Sequence, residues 1–184
     1  LEIKNKDLSE DFVSQKDDYN FLNVDGKYIK DMIRKICIMS KDKGLNEEDI
    51  QILAPMYKGE NGIDNLNMIL QELFNPKDSK KEEIRYGEFI YREGDKVLQL
   101  QNNPDSNVFN GDIGYIVNIL SSRQSNSKRN EIHVDFDGNV VIYTPSKFVE
   151  ITHGYAISIH KAQGSEFDVV IIPVLNKYSI MLYK

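Results

Sequence analysis

The sequence predicts an α/β protein in which a parallel sheet carries a small inserted β-barrel. Three observations lead there. Helical-period segments alternate with short apolar runs ahead of Pro76, five short candidate strands crowd together between Phe89 and Tyr143, and a Val- and Ile-rich run near the C-terminus returns to the α/β pattern.

Asp11 to Gln15 and Tyr19 to Val24 are short apolar runs around a Lys-Asp-Asp turn, and at least one of them is expected to be a strand. The period then changes. Ile29, Met32, Ile33, Ile36 and Cys37 follow the spacing of one buried helix face, with Gly44 as the stop. Ile50 to Met56 (IQILAPM) suits a buried parallel strand. After Gly59 and Gly62 a second helix presents Ile63, Leu66, Ile69, Leu70, Leu73 and Phe74 on one face, and Pro76 ends it. Lys77 to Glu83 reads as a polar link.

Beyond the link the pattern is all β: Phe89 to Tyr91, Lys96 to Leu100, Ile113 to Leu120, Glu131 to Phe136 and Val140 to Tyr143, with turn signals at Asn110-Gly111 and Asp137-Gly138. In the fourth strand Ile132, Val134 and Phe136 should face inward, with His133 and Asp135 outward. Ser121 to Asn130 reads as a flexible loop. Ile151 to Gln163 is expected to hold a short helix, and Phe167 to Val174 (FDVVIIPV) a central strand. The resulting division is a discontinuous α/β part, 1–85 and 149–184, truncated at its C-terminus, with the barrel at 86–148.

Charge and composition narrow the function classes. Across 184 residues there are 23 Lys and Arg against 29 Asp and Glu, which argues against a polybasic binder. Charge is uneven, however. Residues 1–85 carry 14 basic and 18 acidic groups, whereas 149–184 carry 3 of each, so any polyanion contact belongs near the C-terminal stretch. A single cysteine, Cys37, excludes an internal disulfide and a Cys-based zinc site and fits the reducing cytoplasm. No apolar run approaches a membrane span, the charged N-terminus is unlike a signal peptide, and the start at Leu1 reads as an excised fragment.

Neither standard phosphate cradle is present: the chain has no G-x-x-x-x-G-K-[ST] and no G-x-G-x-x-G. His153 and His160 could share a helix face, but with no third ligand a metal site is not expected. Glu82-Glu83 and Asp135/Asp137 read as solvated charge. The informative segment is Tyr155 to Pro173, YAISIHKAQGSEFDVVIIP, where a polar turn leads into an apolar strand and gathers its donors at one sheet end. Gly164 permits close approach of a phosphate oxygen, Glu166 can accept from a ribose hydroxyl, and Ser158 and His160 are short donors suited to a backbone phosphate. A loop whose Ser and His merely cap a helix has the same spacing.

The string HKAQGSEFDVVIIP, His160 to Pro173, resembles motif V of RecD-like superfamily 1 DNA helicases, relatives of the exodeoxyribonuclease V alpha subunit. ILAPMYKGENGIDNLN (Ile52 to Asn67) is similar to the family's motif IV. YREGDKVLQLQNN (Tyr91 to Asn103) and FNGDIGYI (Phe109 to Ile116) are similar to the barrel inserted in its second RecA-like domain. The resemblance covers most of the chain after Asp49. It implies a RecA-like parallel sheet of the P-loop NTPase type with an inserted SH3-like barrel.

It also implies a motor in which ATP and Mg2+ bind between two RecA-like domains while single-stranded DNA crosses both. On that scheme Gly164, Glu166, Tyr57, Lys58 and Gln163 face the nucleotide, and Ser158, His160 and Lys161 face DNA. Gln99 and Asn110 on the barrel could reach DNA, although exposed amides on a barrel are usually just solvated. The implied partners are single-stranded DNA, the missing first RecA-like domain and other helicase–nuclease subunits. The phosphate loop and arginine finger that supply most transition-state stabilisation are absent from this sequence. The segment is therefore expected neither to hydrolyse ATP nor to hold it tightly, and no catalytic residue is assigned. A non-enzymatic binding module using the barrel, and the helicase core of a conjugative relaxase, are the alternatives.

Overall fold

A computed structural model of the chain describes residues 14–16 and 18–175. Helix α1 (Ile29–Asp42) buries Ile29, Ile33 and Cys37, and Gly44, at φ +88°, lets the chain turn away from its end. Strand β1 (Ile50–Ala54) is buried along its whole length, as a strand covered on both faces must be. Helix α2 (Ile63–Phe74) follows. Its buried face includes Asn67 and Gln71 beside the expected Ile63, Leu66 and Leu70.

The inserted part contains β2 (Glu83–Tyr86), β3 (Phe89–Arg92), β4 (Lys96–Gln99), β5 (Ile113–Leu120), β6 (Glu131–Phe136), β7 (Asn139–Tyr143) and β8 (Ile151–His153). Strands β2 and β3 pair only with each other among the described residues, while the others form a five-stranded antiparallel sheet in the order β7-β6-β5-β4-β8. Among the described residues no pairing joins β7 to β8. Then β9 (Ala156–Ser158) and β10 (Val169–Ile171) flank β1, both parallel to it.

Packing separates the two parts and also joins them. Ile50, Ile52 and Ala54 of β1 pack with α1, α2 and Tyr155 in one cluster. Val97, Ile116, Ile132, Val134 and Tyr143 make another inside the antiparallel sheet. A small third cluster, Leu53, Leu98 and Ile157, lies where β4 meets the far side of the parallel sheet. Ile132, Val134 and Phe136 point inward as the alternation requires.

Several expectations are corrected. Tyr19 to Val24 is not a strand, and Asp11 to Val13 lie outside the described residues. Ile151 to Gln163 does hold a short helix, the 3-10 helix Ile159–Ala162, but its earlier residues form β8 and β9, because Val97 to Gln99 and Ile52 to Ala54 offer them unpaired edges. Phe89 to Arg92 joins Glu83 to Tyr86 rather than the larger sheet, so part of the predicted polar link is strand. Glu83 is not solvated charge, since its carboxylate accepts from Arg92 Nε at 2.6 Å. Val169–Ile171 is an edge strand among the described residues, not a central one, and Val170 is 44% exposed. The Ser121 to Asn130 loop is tied at its base: the Ser125 and Ser127 hydroxyls both donate to Glu131 Oε1.

Candidate functional site

The parallel register decides which residues meet. Ala54 lies opposite Ser158, so the C-terminal ends of β1 and β9 form one rim, and the chain leaving each strand carries polar side chains. From β1 it continues to Tyr57 and Lys58. Ile63 N then donates to Met56 O at 2.9 Å and Asp64 N to Tyr57 O at 3.1 Å, folding this turn against the start of α2. The turn works only because residue 62 is glycine, since a Cβ there would stand 2.5 Å from the Tyr57 carbonyl oxygen. Tyr57 is 48% exposed. Lys58 Nζ pairs with Asp64 at 2.8 Å, and that carboxylate raises the ammonium above its ordinary value.

From β9 the chain enters the 3-10 turn at Ile159–Ala162 and then Gln163, Gly164, Ser165 and Glu166, all four exposed. Ala162 packs on the Leu53, Leu98 and Ile157 cluster, which holds the turn against the sheet. Ser158 is half-buried and His160 exposed. Neither makes a side-chain hydrogen bond among the described residues, nor do Gln163 and Glu166, so their donors and acceptors are available to a ligand. Gly164 has φ +88°, and a methyl group added to its Cα would meet nothing within 4 Å, so the chain makes a left-handed bend with open space around it.

The polar residues do not all stay at one rim. Ser158 ends beside Ala54, but Val169 starts beside Ile50, at the opposite end of β1, and Val169 N donates to Asp49 O. The connection therefore runs back along the sheet, with Ser158 and His160 at its start and Gly164 to Glu166 further along. Lys161 reaches sideways instead and donates to Asn110 Oδ1 of the inserted part. Together His160, Lys161, Gly164 and the Asn110–Asp112 turn line a polar hollow of about 300 Å³.

Two sequence assignments change. Gln99 is fully buried, donating to Gln101 O and accepting from Tyr143 OH at 2.7 Å, and cannot reach DNA. His153 and His160 share no helix face, because His153 lies in β8 and is 1% exposed whereas His160 sits on the 3-10 turn. Among the described residues no group of three or more His, Cys, Asp or Glu side chains converges on a metal position.

A buried polar joint was not visible in the sequence. Asp95 is fully buried between α2, the antiparallel sheet and the strand leading to the rim. Its Oδ2 accepts from Gln71 Nε2 at 2.6 Å and Arg92 N at 2.7 Å and lies 3.2 Å from His153 Nε2. Its Oδ1 accepts from Asn75 Nδ2 at 2.7 Å and Tyr155 OH at 3.0 Å. Next to it Lys96 is 1% exposed and donates to Glu47 O at 2.7 Å and Ile50 O at 3.2 Å, with its ammonium 5.8 Å from the Phe167 ring. Burial lowers this amine to about 8. The one available signal was a charged Asp-Lys pair directly before the apolar Val97-Leu98.

Comparison with known proteins adds two family models. One, described as the SH3 domain of ATP-dependent RecD-like DNA helicases, matches residues 66–136. The other, a UvrD-like helicase C-terminal domain, matches residues 153–184. The ATP-dependent RecD2 DNA helicase of Deinococcus radiodurans is 37% identical over 138 residues, which is 75% of this chain and 18% of that protein. The RecBCD enzyme subunit RecD of Buchnera aphidicola is 29% identical, over 73% of this chain and 21% of that one. The chain thus spans about a fifth of the length of these relatives. Among solved structures, unliganded Pif1 from Bacteroides sp. aligns with 18% identity and a TM-score of 0.43, covering 74% of this chain and 48% of that one.

Proposed function

We propose that this chain, a relative of the RecD-like superfamily 1 DNA helicases, is the part of such a motor that supplies one wall of its ATP site and part of its single-stranded DNA track. On this reading the inserted SH3-like barrel runs from β2 (Glu83–Tyr86) to β8 (Ile151–His153), beyond the 86–148 expected from the sequence, and the residues on either side of it are the second RecA-like domain. The observation that carries it is the exposed connection from Ser158 to Glu166, whose polar side chains at Ser158, His160, Gln163 and Glu166 lack partners among the described residues and which starts at a sheet rim shared with Tyr57 and Lys58.

Gly164, Glu166 and Gln163, with Tyr57 and Lys58, would hold the nucleotide. The open left-handed bend at Gly164 fits a phosphate oxygen, and the exposed Glu166 carboxylate fits a ribose hydroxyl. ATP with Mg2+ supplies the energy of the complete motor when bound. This chain's residues orient its ends. Ser158, His160 and Lys161 would hold DNA phosphates, with DNA contact and nucleotide contact linked through one short connection. Alone the chain would not hydrolyse ATP. The longer protein would work in the cytoplasm, by itself or with helicase–nuclease subunits. Among the described residues no helix is long and apolar enough to cross a membrane.

The test uses the protein with its first RecA-like domain and C-terminal tail. Gly164→Val and Glu166→Ala should each lower DNA-stimulated ATPase turnover at least about ten-fold, roughly 1.4 kcal/mol of transition-state stabilisation. Ser158→Ala with His160→Ala should weaken DNA stimulation more than basal turnover. Unchanged turnover in both of the first two variants overturns the nucleotide assignment.

A further inference from the structure

One cluster of positive charge on this acidic protein has no part in the motor described above. It lies in the loop between β5 and β6, Ser121 to Asn130, which carries Arg123, Lys128 and Arg129 and no acidic residue. All three are exposed, and among the described residues none of their side chains is hydrogen-bonded or ion-paired. Neighbouring carboxylates do not offset them. Glu131 is taken up by the Ser125 and Ser127 hydroxyls and by His133, whose Nε2 lies 2.9 Å from its Oε2. The link 77–83, tied to β5 where Glu93 accepts from Glu82 N and Ile119 N, holds three charges of each sign. The loop is also held in place, since Ser122 N donates to Asn130 Oδ1 at 2.8 Å and closes its neck. It stands well away from the motif V connection. Asp112, just before β5, borders the hollow shared with Lys161, whereas the loop follows the other end of that strand. At roughly 3.3 Å per residue, the eight residues of β5 separate the two by about 26 Å.

Composition decides what the loop fits. Residues 121–130 include no apolar and no aromatic side chain. A protein partner calls for an apolar centre and disfavours lysine, and an unpaired base calls for a ring to stack on. Phosphate oxygens call for neither: arginine forks take them bidentately, and serine and asparagine side chains add neutral donors. With no ring to reward an unpaired base, the denser row of phosphates binds better. A duplex presents one charge per about 1.7 Å of its axis, against one per about 3.4 Å along either strand. We infer that the β5–β6 loop is a docking site for the backbone of double-stranded DNA, separate from the single-strand contacts at Ser158 and His160. The site grips phosphates alone, so it is indifferent to base sequence. It does not depend on the nucleotide assignment.

The test takes the protein with its first RecA-like domain and C-terminal tail and measures binding to a blunt duplex between about 50 and 200 mM salt. Each neutralised phosphate contributes about 0.9 to the slope of log K against log salt. Arg123→Gln, Lys128→Gln and Arg129→Gln together should therefore flatten that slope by about 2 to 3. At the lowest salt the duplex should bind on the order of ten-fold more weakly, while a single strand loses less than about two-fold. Arg123→Lys with Arg129→Lys keeps the charge and should keep the slope, which separates loss of charge from any disturbance of the loop. Ser158→Ala with His160→Ala should do the reverse, weakening the single strand and sparing the duplex. An unchanged duplex slope in the triple variant, an equal loss on both DNAs, or a parent protein that does not bind the duplex overturns the loop site. A flattened duplex slope, alongside unchanged single-strand binding in the Ser158 and His160 variant, upholds the loop and counts against the DNA reading of the motif V connection.

Discussion

Lys96 offers the most quantitative test of how the inserted part is joined to the parallel sheet. Its amine is carried by β4 into a site walled by the Glu47–Ile50 backbone and Phe167, and burial lowers it from 10.5 to about 8. Since the unfolded chain holds this proton more tightly than the folded one, stability rises with pH between the two values. At about 1.36 kcal/mol per pH unit the full difference is about 3 kcal/mol, of which about 2 kcal/mol is recovered between about pH 7 and pH 9.5. Lys96→Met keeps the length of the side chain and removes the proton, so it should lack that rise. Urea unfolding of both proteins at about pH 7, 8, 9 and 9.5 isolates the effect, because every other titrating group is common to the pair. The stability difference, variant minus parent, should fall by about 2 kcal/mol across the range. Parallel curves would refute the desolvated lysine and, with it, the seal between β4 and the strand turn before β1.

Four further outcomes follow from particular contacts. Asp95→Ala leaves Gln71, Asn75 and Tyr155 without their shared acceptor and should destabilise the fold in urea unfolding, each buried donor left unpaired costing about 1–3 kcal/mol. Gly62→Ala drives a methyl against the Tyr57 carbonyl and should destabilise by about 1–3 kcal/mol, measured the same way. Glu131 is held at about 2 by the Ser125, Ser127 and His133 hydrogen bonds, so its contribution is present above 4.5 and is lost as pH falls toward 2. Amide exchange in the Ser121 to Asn130 loop should therefore accelerate on acidification in that window, and Glu131→Gln should flatten the change. Cys37 is fully buried and its thiol pushed up to about 11, so a thiol reagent should label it at the rate α1 opens and not at the rate of a free thiol.

Helices α1 and α2 were legible because each writes its buried face in a 3.6-residue period, and β1 was legible because a strand covered on both sides must be apolar throughout. The polar connection from Ser158 to Glu166 was legible for a chemical reason: short polar side chains and a glycine placed before an apolar strand have no core to enter. Strand partnership was not legible, since Ile151 to His153 has no local signal that distinguishes a partner in β4 from a helix, and hydrogen bonds between residues some fifty positions apart are set by how the parts dock. The same is true of Asp95, Lys96 and Gln99. Along the chain they are polar residues of an ordinary hairpin, and only the packing of α2, the antiparallel sheet and the approach to β1 around them encloses them and supplies their partners. Local pattern was enough to say which faces bury and which turn stays polar, because both depend on near neighbours along the chain. Which polar groups are desolvated was settled by the assembled fold alone, because desolvation is a property of what closes over a side chain from distant segments.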